Sequence, residues 1–426
     1  MYCYECCLQM TSHPAAKAPL LSFKGLKAAL MARTLSAFSS QVQAVAVGWQ
    51  IYALTHEASA LGFVGLAQFL PMVTFIFPAG HAADQYNRRR IVIICQITEA
   101  MAALFMALAS FQNVVTPVMI YGLVALFGMC RAFEMPAQQT FIPAIVPVSA
   151  FPRATALSSS LFQVACIAGP SIGGLLYGLG PTPCYALCAI GFGIAALSTL
   201  LMKLSFPSRP RQPVSLAAVF GGIIFLRQNP TMLGALSLDL FAVLLGGATA
   251  MLPLYATDIL HAGPWGLGLL RAAPAIGALL VAAVLARRPM GHNSGLWMFF
   301  SVAVFGVATI LFGFSKSIPL SVLALAILGG ADVISVMVRS SLVQLGTPDE
   351  MRGRVSAVNM LFIGSSNQLG EFESGMLASA VGAVPAVVIG GIGTLAITAI
   401  WMALFPGLRK LDRLDDITPQ ELRKTT

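Results

Sequence analysis

The chain has 426 residues, of which 57% are hydrophobic and only 10% carry a charge. This composition excludes a soluble globular protein, which needs far more charge to cover its surface. A formal net charge of +9 is found in many nucleic-acid-binding proteins, but the placement of the basic residues described below argues against that partner.

The apolar residues come in runs of about 20, the length that crosses a hydrocarbon core of roughly 30 Å. The runs lack the two-residue alternation of a transmembrane β-barrel. The predicted fold class is therefore an all-α polytopic membrane protein. Its twelve predicted spans are 28–54, 59–82, 91–111, 115–135, 154–179, 183–204, 231–257, 266–286, 295–314, 318–340, 355–381 and 384–405.

Lysine and arginine are distributed unequally between the two sides of these spans. Loops on one side hold Arg88–Arg90, Arg287, Arg288 and most other basic residues, whereas the opposite loops hold only Lys316. The positive-inside rule then predicts that both termini and the loop at Arg88 are cytoplasmic, in a plasma (inner) membrane. The basic side also attracts anionic lipid head groups, so membrane lipids are expected partners and nucleic acid is not.

The longest polar interruption divides the spans into six and six. Shifting the second half onto the first by 201 residues (354 − 153) aligns Arg153 with Arg354 and Gly128 with Gly329. Two six-span halves in a parallel repeat are the plan of one transporter superfamily. The predicted domains are an N-terminal tail (1–27), an N-terminal bundle (28–204), a cytoplasmic linker (205–230), a C-terminal bundle (231–405) and a C-terminal tail (406–426).

No set of residues resembles a catalytic site. The chain has no Walker loop, no metal-spaced cysteine and histidine cluster, and no nucleophile elbow. The sequence predicts no enzyme, no metal and no cofactor, and ATP is not the expected energy source. Cys3, Cys6 and Cys7 cluster in the N-terminal tail, where an unstructured segment is favoured over a metal or lipid-anchor site.

Two motifs resemble those of the major facilitator superfamily. Gly80-x-x-x-Asp84-x-x-x-Arg88-Arg89, between spans 2 and 3, resembles its loop 2–3 motif, and residues 169–174 in span 5 resemble its antiporter motif. Residues 48–55 and 131–137 further resemble its enterobactin-exporter-like subgroup of drug and siderophore exporters. Asn87 stands in place of a usual glycine, and we expect it to adopt the left-handed turn that glycine allows.

The resemblance implies that the loop from Gly80 to Arg89 is a gate latch. Asp84 is expected to cap the first turn of span 11, where the helix dipole favours a negative charge. Arg88 is expected to pair with Glu134 at the end of span 4. The alternative is that the arginines, Arg89 included, only set the topology.

Span 5 carries the antiporter motif Gly169-Pro170-x-x-Gly173-Gly174. The glycines leave one helix face without side chains, which allows close approach of another backbone, and Pro170 bends the helix. The resemblance implies a tight contact with span 1 that disfavours leak and favours export. Ordinary close helix packing is the alternative.

Charged residues inside a span are strong functional signals, because each costs at least about 2.5–3.5 kcal/mol at mid-bilayer. The candidates are Arg33, Glu99, Arg131, Asp239, Arg271, Asp332, Arg339, Glu371 and Glu373. Proton coupling needs a carboxylate that loads and releases protons near neutral pH.

Asp239 and Glu371 are the first candidates for that carboxylate because both lie deep in their spans, with Glu373 and Asp332 behind them. Glu371 and Glu373 are roughly 200° apart around one helix, so both cannot face one cavity. Arg339 is expected to snorkel to the cytoplasmic surface. Arg271 is expected to lie only a few residues inside the outer end of span 8. For each residue a structural ion pair is an equally good interpretation.

Other polar residues are candidates for contact with the substrate. Arg33 on span 1 and Arg131 on span 4 are placed to hold a carboxylate ionised or to gather an anionic substrate. Gln41 and Gln163 are placed to line a central cavity, although hydrogen bonding between helices explains each equally well. Tyr52 is expected to be an interfacial aromatic anchor.

The resemblance implies a monomeric secondary transporter that exports a small organic molecule in exchange for protons by alternating access. An importer or lipid flippase on the same scaffold is the nearest alternative. A membrane sensor without transport activity is disfavoured because no sizeable soluble domain is present. A siderophore, a lipophilic drug and another metabolite all remain open as substrates.

Overall fold

The computed structural model describes residues 20–147, 149–202, 216–288 and 291–412. Cys3, Cys6, Cys7 and parts of the predicted tails and linker lie outside these ranges. Twelve long helices cross the described part: α1 Leu26–Thr55, α2 Ala58–Gln85, α3 Arg88–Phe111, α4 Pro117–Gln138, α5 Phe151–Tyr177, α6 Pro181–Leu201, α7 Pro230–Leu245, α8 Gly263–Arg287, α9 Ser294–Phe314, α10 Ile318–Gly346, α11 Asp349–Val381 and α12 Ala383–Leu404. The predicted all-α class is confirmed.

Within the described ranges, ten of these segments are long and apolar enough to span a membrane on length and composition alone. The other two, α1 and α11, are also among the longest, at 30 and 33 residues. Their lower hydropathy comes from polar side chains such as Gln41, Gln43 and Gln368, which face a central cavity instead of lipid. A helix that lines a polar cavity cannot be uniformly apolar.

The seventh span is not one continuous helix, which its predicted range did not anticipate. Regular α-helix ends at Leu245, before Gly246 and Gly247, and continues as a 3₁₀ turn at Ala248–Met251 and a π turn at Tyr255–Ile259. A pair of glycines is a common site of a helix break. Here a Cβ atom on Gly246 would lie 2.6 Å from the Phe305 ring, so the break also brings this backbone close to α9.

Asn87 connects α2 and α3 in a way that differs from the prediction. Its φ is −65°, not left-handed, and its side chain accepts a hydrogen bond from the Arg89 backbone N–H at 3.0 Å as the N-cap of α3. The left-handed expectation for Asn87 was therefore wrong. An asparagine N-cap satisfies a helix N–H that glycine cannot, so the departure from the motif has a local structural role.

Two faces of the bundle are distinguished by charge. We call the face that carries Arg88–Arg90 the basic face and the other the opposite face. At the opposite face α2 meets α11, where a Cβ atom on Gly375 would lie 2.5 Å from Gly62 Cα. There too the Tyr52 hydroxyl donates to the Asp258 carboxylate, joining α1 to the segment after α7.

Tyr52 is only 4% exposed, so its predicted role as an interfacial anchor was wrong.

Candidate functional site

A cavity of about 390 Å³ lies between the first six and the last six long helices. It is bordered by α1, α2 and α4 on one side and by α8 and α11 on the other. Its polar lining consists of Ser40, Gln41, Gln43, Gln68, Arg131, Arg271, Asn367, Gln368 and Glu371. The cavity therefore offers many amide groups, two guanidinium groups and one carboxylate.

Helical periodicity brings these side chains to one wall. On α1, Gln41, Ala44 and Gly48 are spaced three and four residues apart, so they share a face. On α11, Asn367 and Glu371 are four apart and likewise share a face, and Asn367 is exposed although it lies near the middle of its helix. The polar stripes of the two least apolar helices therefore meet at the cavity.

Arg271 and Glu371 form the charged part of the cavity. They interact electrostatically across the space between α8 and α11. Both pack on glycines of the first half: a Cβ atom on Gly48 would lie 3.1 Å from Arg271 Nη2, and one on Gly65 would lie 2.8 Å from Glu371 Cβ. Glycine at these positions leaves room for the charged side chains of the second half.

Two polar atoms of the cavity wall have no hydrogen-bond partner within the described residues. They are the Gln43 Oε1 acceptor and the Arg271 Nε donor, and both atoms are buried. Buried polar groups are almost always paired, and each unpaired group costs free energy. The wall of the central cavity therefore contains a donor and an acceptor that no described protein group satisfies.

Asp239, a first candidate for proton coupling, lies elsewhere. Its carboxylate accepts a hydrogen bond from the Arg339 guanidinium in an ion pair whose members are 6% and 4% exposed. Asp332 interacts electrostatically with both residues. Arg339 does not snorkel to the surface as predicted, because Asp239 on α7 compensates its charge inside the bundle.

Glu134 is the centre of a second polar cluster. Its Oε1 accepts hydrogen bonds from Gln96 at 2.9 Å, from Gln138 at 2.6 Å and from Ser36 at 3.4 Å. Glu99 lies nearby on α3, close enough to interact electrostatically with Glu134 and Arg131. The predicted pairing of Glu134 with Arg88 stays a prediction.

The other predicted substrate contacts have protein partners. Arg33 Nη1 donates to Ser158 Oγ at 2.9 Å and lies over the Phe162 ring. Gln163 Nε2 donates to the Ala275 carbonyl at 2.9 Å and so links α5 to α8. Glu373, which does not belong to the cavity lining, accepts a hydrogen bond from Ser374 at 3.3 Å.

The antiporter-like motif of α5 contacts two helices at once. A Cβ atom on Gly169 would lie 2.6 Å from Gln41 Cβ on α1, and one on Gly173 would lie 3.2 Å from Val42 Cα. One on Gly174 would lie 2.8 Å from Gly268 Cα on α8. Pro170 is buried in the same helix. The close contact expected with span 1 is present, and α8 is an additional neighbour.

In the loop motif, Arg89 is the residue whose contacts are clearest. It donates to the carbonyl groups of Thr199 and Leu200 at the end of α6, where a cation interacts favourably with the helix dipole. Gly80 is buried in the last turns of α2, and the side chain of Asp84 lies outside the described part of the structure. The capping of α11 by Asp84 stays a prediction.

Sequence reasoning gave too little weight to Arg271 and Glu99. Arg271 was placed near the end of its span because that span was predicted to begin at 266, whereas α8 begins at Gly263. Eight residues of helix correspond to about 12 Å, which is deep in the membrane. The Pro264 that follows Gly263 was the available signal, since proline favours the first helical position. Glu99 had no local signal beyond its charge.

Comparisons with known proteins agree with this architecture. A family model described as transmembrane secretion effector matches residues 15–425. The enterobactin exporter EntS of Citrobacter koseri and that of Escherichia coli O1:K1 are each 26% identical over 400 residues, covering 92% of this chain and 94% of the relative.

Solved structures share the fold at low sequence identity. A bacterial homologue of the human lysosomal transporter Spinster, inward-facing and unoccupied, has a TM-score of 0.69 at 15% identity and covers 97% of this chain and 98% of its own. A POT family transporter in complex with a thioalcohol-conjugated peptide has a TM-score of 0.73 at 12% identity, covering 90% and 96%. The chain belongs to the transmembrane secretion effector family and is a multi-pass transporter of the major facilitator superfamily, not an enzyme.

Proposed function

We propose that the protein exports a small, polar, siderophore-like organic molecule in exchange for protons by alternating access. The observation that carries the proposal is the polar lining of the cavity between the two halves, with its amide groups, two guanidinium groups and one carboxylate. A lipophilic drug cannot satisfy these groups, whereas a molecule rich in hydrogen-bond donors and acceptors can. The enterobactin exporters among the relatives support the same substrate class and the outward direction.

Glu371 is the residue we assign to proton coupling in the cavity. When ionised, its carboxylate accepts hydrogen bonds from donor groups of the substrate, while Arg271 and Arg131 bind acceptor or anionic groups. A proton at Glu371 occupies one of its oxygens and weakens that acceptor. Substrate and proton therefore exclude each other at this group, which is the requirement for exchanging one for the other.

Orientation follows from the charges. We propose that the basic face and both termini are cytoplasmic, in the inner membrane. The closed contact of Gly62 with Gly375 at the opposite face then blocks the outer exit, which corresponds to an inward-facing state. A reporter that is active only in the cytoplasm, fused to the C-terminus, should be active, and a periplasmic reporter should not.

Opening outward requires the two halves, residues 28–204 and 231–405, to rock about the cavity. We assign the loop motif, with Gly80, Asp84, Arg88 and Arg89, to a latch that holds the basic face closed in the outward-facing state. The packing of Gly169, Gly173 and Gly174 around Pro170 on α1 and α8 supports a role in preventing leak. Both assignments extend the resemblance of these motifs to the family pattern.

The test is transport into inverted membrane vesicles. Vesicles with an imposed proton gradient should accumulate enterobactin, and Glu371→Gln should abolish the accumulation. Glu373→Gln is the matched control, because it removes a carboxylate two residues away on the same helix but outside the cavity lining, and it should transport like the wild type. Accumulation that persists after complete collapse of the gradient would contradict proton coupling. Accumulation of a lipophilic dye but not of enterobactin would contradict the substrate class.

A further inference from the structure

A pair of buried carboxyl groups lies in the first half of the protein, outside the cavity lining. Glu99 on α3 is 1% exposed and Glu134 on α4 is 5% exposed. Gln96, one turn before Glu99, donates to Glu134, so the same faces of α3 and α4 carry both groups. Glu99 has no role in the export mechanism proposed for the cavity.

The two carboxyl groups have very different partners. Three donors, from α1, α3 and α4, converge on one oxygen of Glu134, an arrangement that stabilises an ionised carboxylate. Glu99 Oε2, by contrast, is buried without a hydrogen-bond partner in the described part of the chain. A buried carboxylate oxygen without a donor is unfavourable, whereas a protonated carboxyl group tolerates such a site far better.

The surrounding charges leave one negative charge uncompensated. If both were ionised, Glu99 and Glu134 would repel each other, and Arg131 is the cation that interacts with both. The other titratable neighbours are the thiols of Cys95 and Cys130, which face each other across α3 and α4. Two neutral hydroxyl groups also contact the cluster. The Ser36 hydroxyl of α1 donates to Glu134, and the Thr199 hydroxyl of α6 donates to Gln96 at 2.9 Å.

We propose that Glu99 and Glu134 share one proton and form a proton-binding site inside the first half, beside the substrate cavity and joined to its wall through Arg131. Two like charges buried together with one arginine cannot both persist, so one carboxyl group stays protonated. The donor pattern places the proton on Glu99 and the negative charge on Glu134.

The carboxyl pair is connected by hydrogen bonds to a helix that lines the cavity. The donors to Glu134 come from three helices, and α1 among them lines the cavity and packs on α5. A second proton, added to a carboxylate oxygen of Glu134, removes the charge that holds Ser36 and Gln96. In the exporter proposed above, on which this role rests, the second proton would release α1 from α3 and α4 and so favour rearrangement of the cavity.

The test is infrared spectroscopy of the purified full-length protein in lipid nanodiscs at neutral pH. A protonated carboxyl group shows a C=O stretching band that an ionised one lacks. The difference spectrum of wild type minus Glu99→Gln should contain this band, because the variant carries no proton at the pair. Glu57→Gln, which changes an exposed loop residue, is the matched control and should leave the band intact.

A second variant decides whether the proton is shared. Glu134→Gln removes the neighbouring negative charge, so that Glu99 has Arg131 as its charged neighbour and should ionise. The band should therefore disappear in this variant too. A band that persists in Glu134→Gln would show that Glu99 holds the proton by itself, and this would contradict a proton shared with Glu134. A band unchanged in both variants would overturn the site. Since the spectra need no transport, the site can stand if gradient-driven export fails, and it can fail while export stands.

Discussion

Each half of the protein contains a cluster of two carboxyl groups and one arginine, but the two clusters are arranged differently. In the second half Arg339 pairs directly with Asp239, and Asp332 lies close to both. In the first half Arg131 lies at the cavity wall, and Glu134 is held by neutral donors.

The internal repeat relates two positions of the clusters, whereas Glu99, Glu134 and Asp239 align with uncharged residues. The shift of 201 residues that aligns Gly128 with Gly329 also aligns Arg131 with Asp332, and Gln138 with Arg339. The charge at each related position has thus been exchanged or added. A direct ion pair fixes the protonation state of its members, whereas a carboxylate among neutral donors can change its state at lower cost. We therefore interpret the second cluster as structural and the first as functional.

The largest expected effect is in the structural cluster. Asp239→Asn leaves the buried Arg339 guanidinium without its counter-charge and should lower the free energy of unfolding by about 3–5 kcal/mol. Reversible unfolding in mixed micelles measures this change. The double variant Asp239→Asn with Arg339→Met should recover most of the loss, because it removes the unpaired charge. A single variant as stable as the wild type would contradict a structural role for this pair.

A smaller effect is expected from Gln138→Leu, which removes a donor from the Glu134 carboxylate. A hydrogen bond to a charged group contributes about 1.5–3 kcal/mol, so the loss in unfolding free energy should lie in that range. The matched control is Gln112→Leu at the exposed end of α3, which should change the stability little. Equal losses in the two variants would show that the Glu134 cluster is not specifically stabilised by this donor.

Glu99→Gln should change stability by less than about 1 kcal/mol, because a protonated Glu99 has no charge to lose and its Oε2 has no described hydrogen-bond partner. The same unfolding assay compares it directly with Asp239→Asn. If Glu99→Gln lowered the free energy of unfolding as much as Asp239→Asn, this would indicate that the first cluster is structural as well.

The smallest effect is expected from Ser36→Ala. Its hydroxyl is the most distant of the three donors to Glu134, at 3.4 Å, and its loss should cost about 0.5 kcal/mol. Ser40→Ala on the same helix, which bonds only to its own helix backbone, serves as the control. A cost of several kcal/mol would indicate that α1 depends on Glu134 more strongly than the distance implies.

Sequence reasoning worked where a property depends on position along one helix. Composition and run length predicted the helical class, and the resemblance of the glycine motif in span 5 to the family pattern predicted its close contact with α1. The same reasoning could not select among the nine candidate charges inside the spans, because a sequence gives depth along a helix but not the identity of the neighbour on each side. Asp239 and Glu371 looked alike as deep carboxylates, yet one faces Arg339 and the other faces the cavity.

Errors of two or three residues in helix ends also mattered. Because of them, the prediction put Arg271 only a few residues inside the outer end of its span, whereas Arg271 lines the cavity. The length and polarity of α11 are explained only by its packing against α2 and by the cavity, which are tertiary features. The local role of Asn87 depended on backbone angles that its residue type allows but does not require.

The claim that substrate and proton exclude each other at Glu371 can be tested most directly by counting protons released on binding. Enterobactin added to the purified protein in weakly buffered solution should release protons, detected with a pH-indicator dye. Glu371→Gln should bind without this release, and Glu373→Gln should release protons like the wild type. Binding without proton release by the wild type, or equal release by Glu371→Gln, would contradict the account.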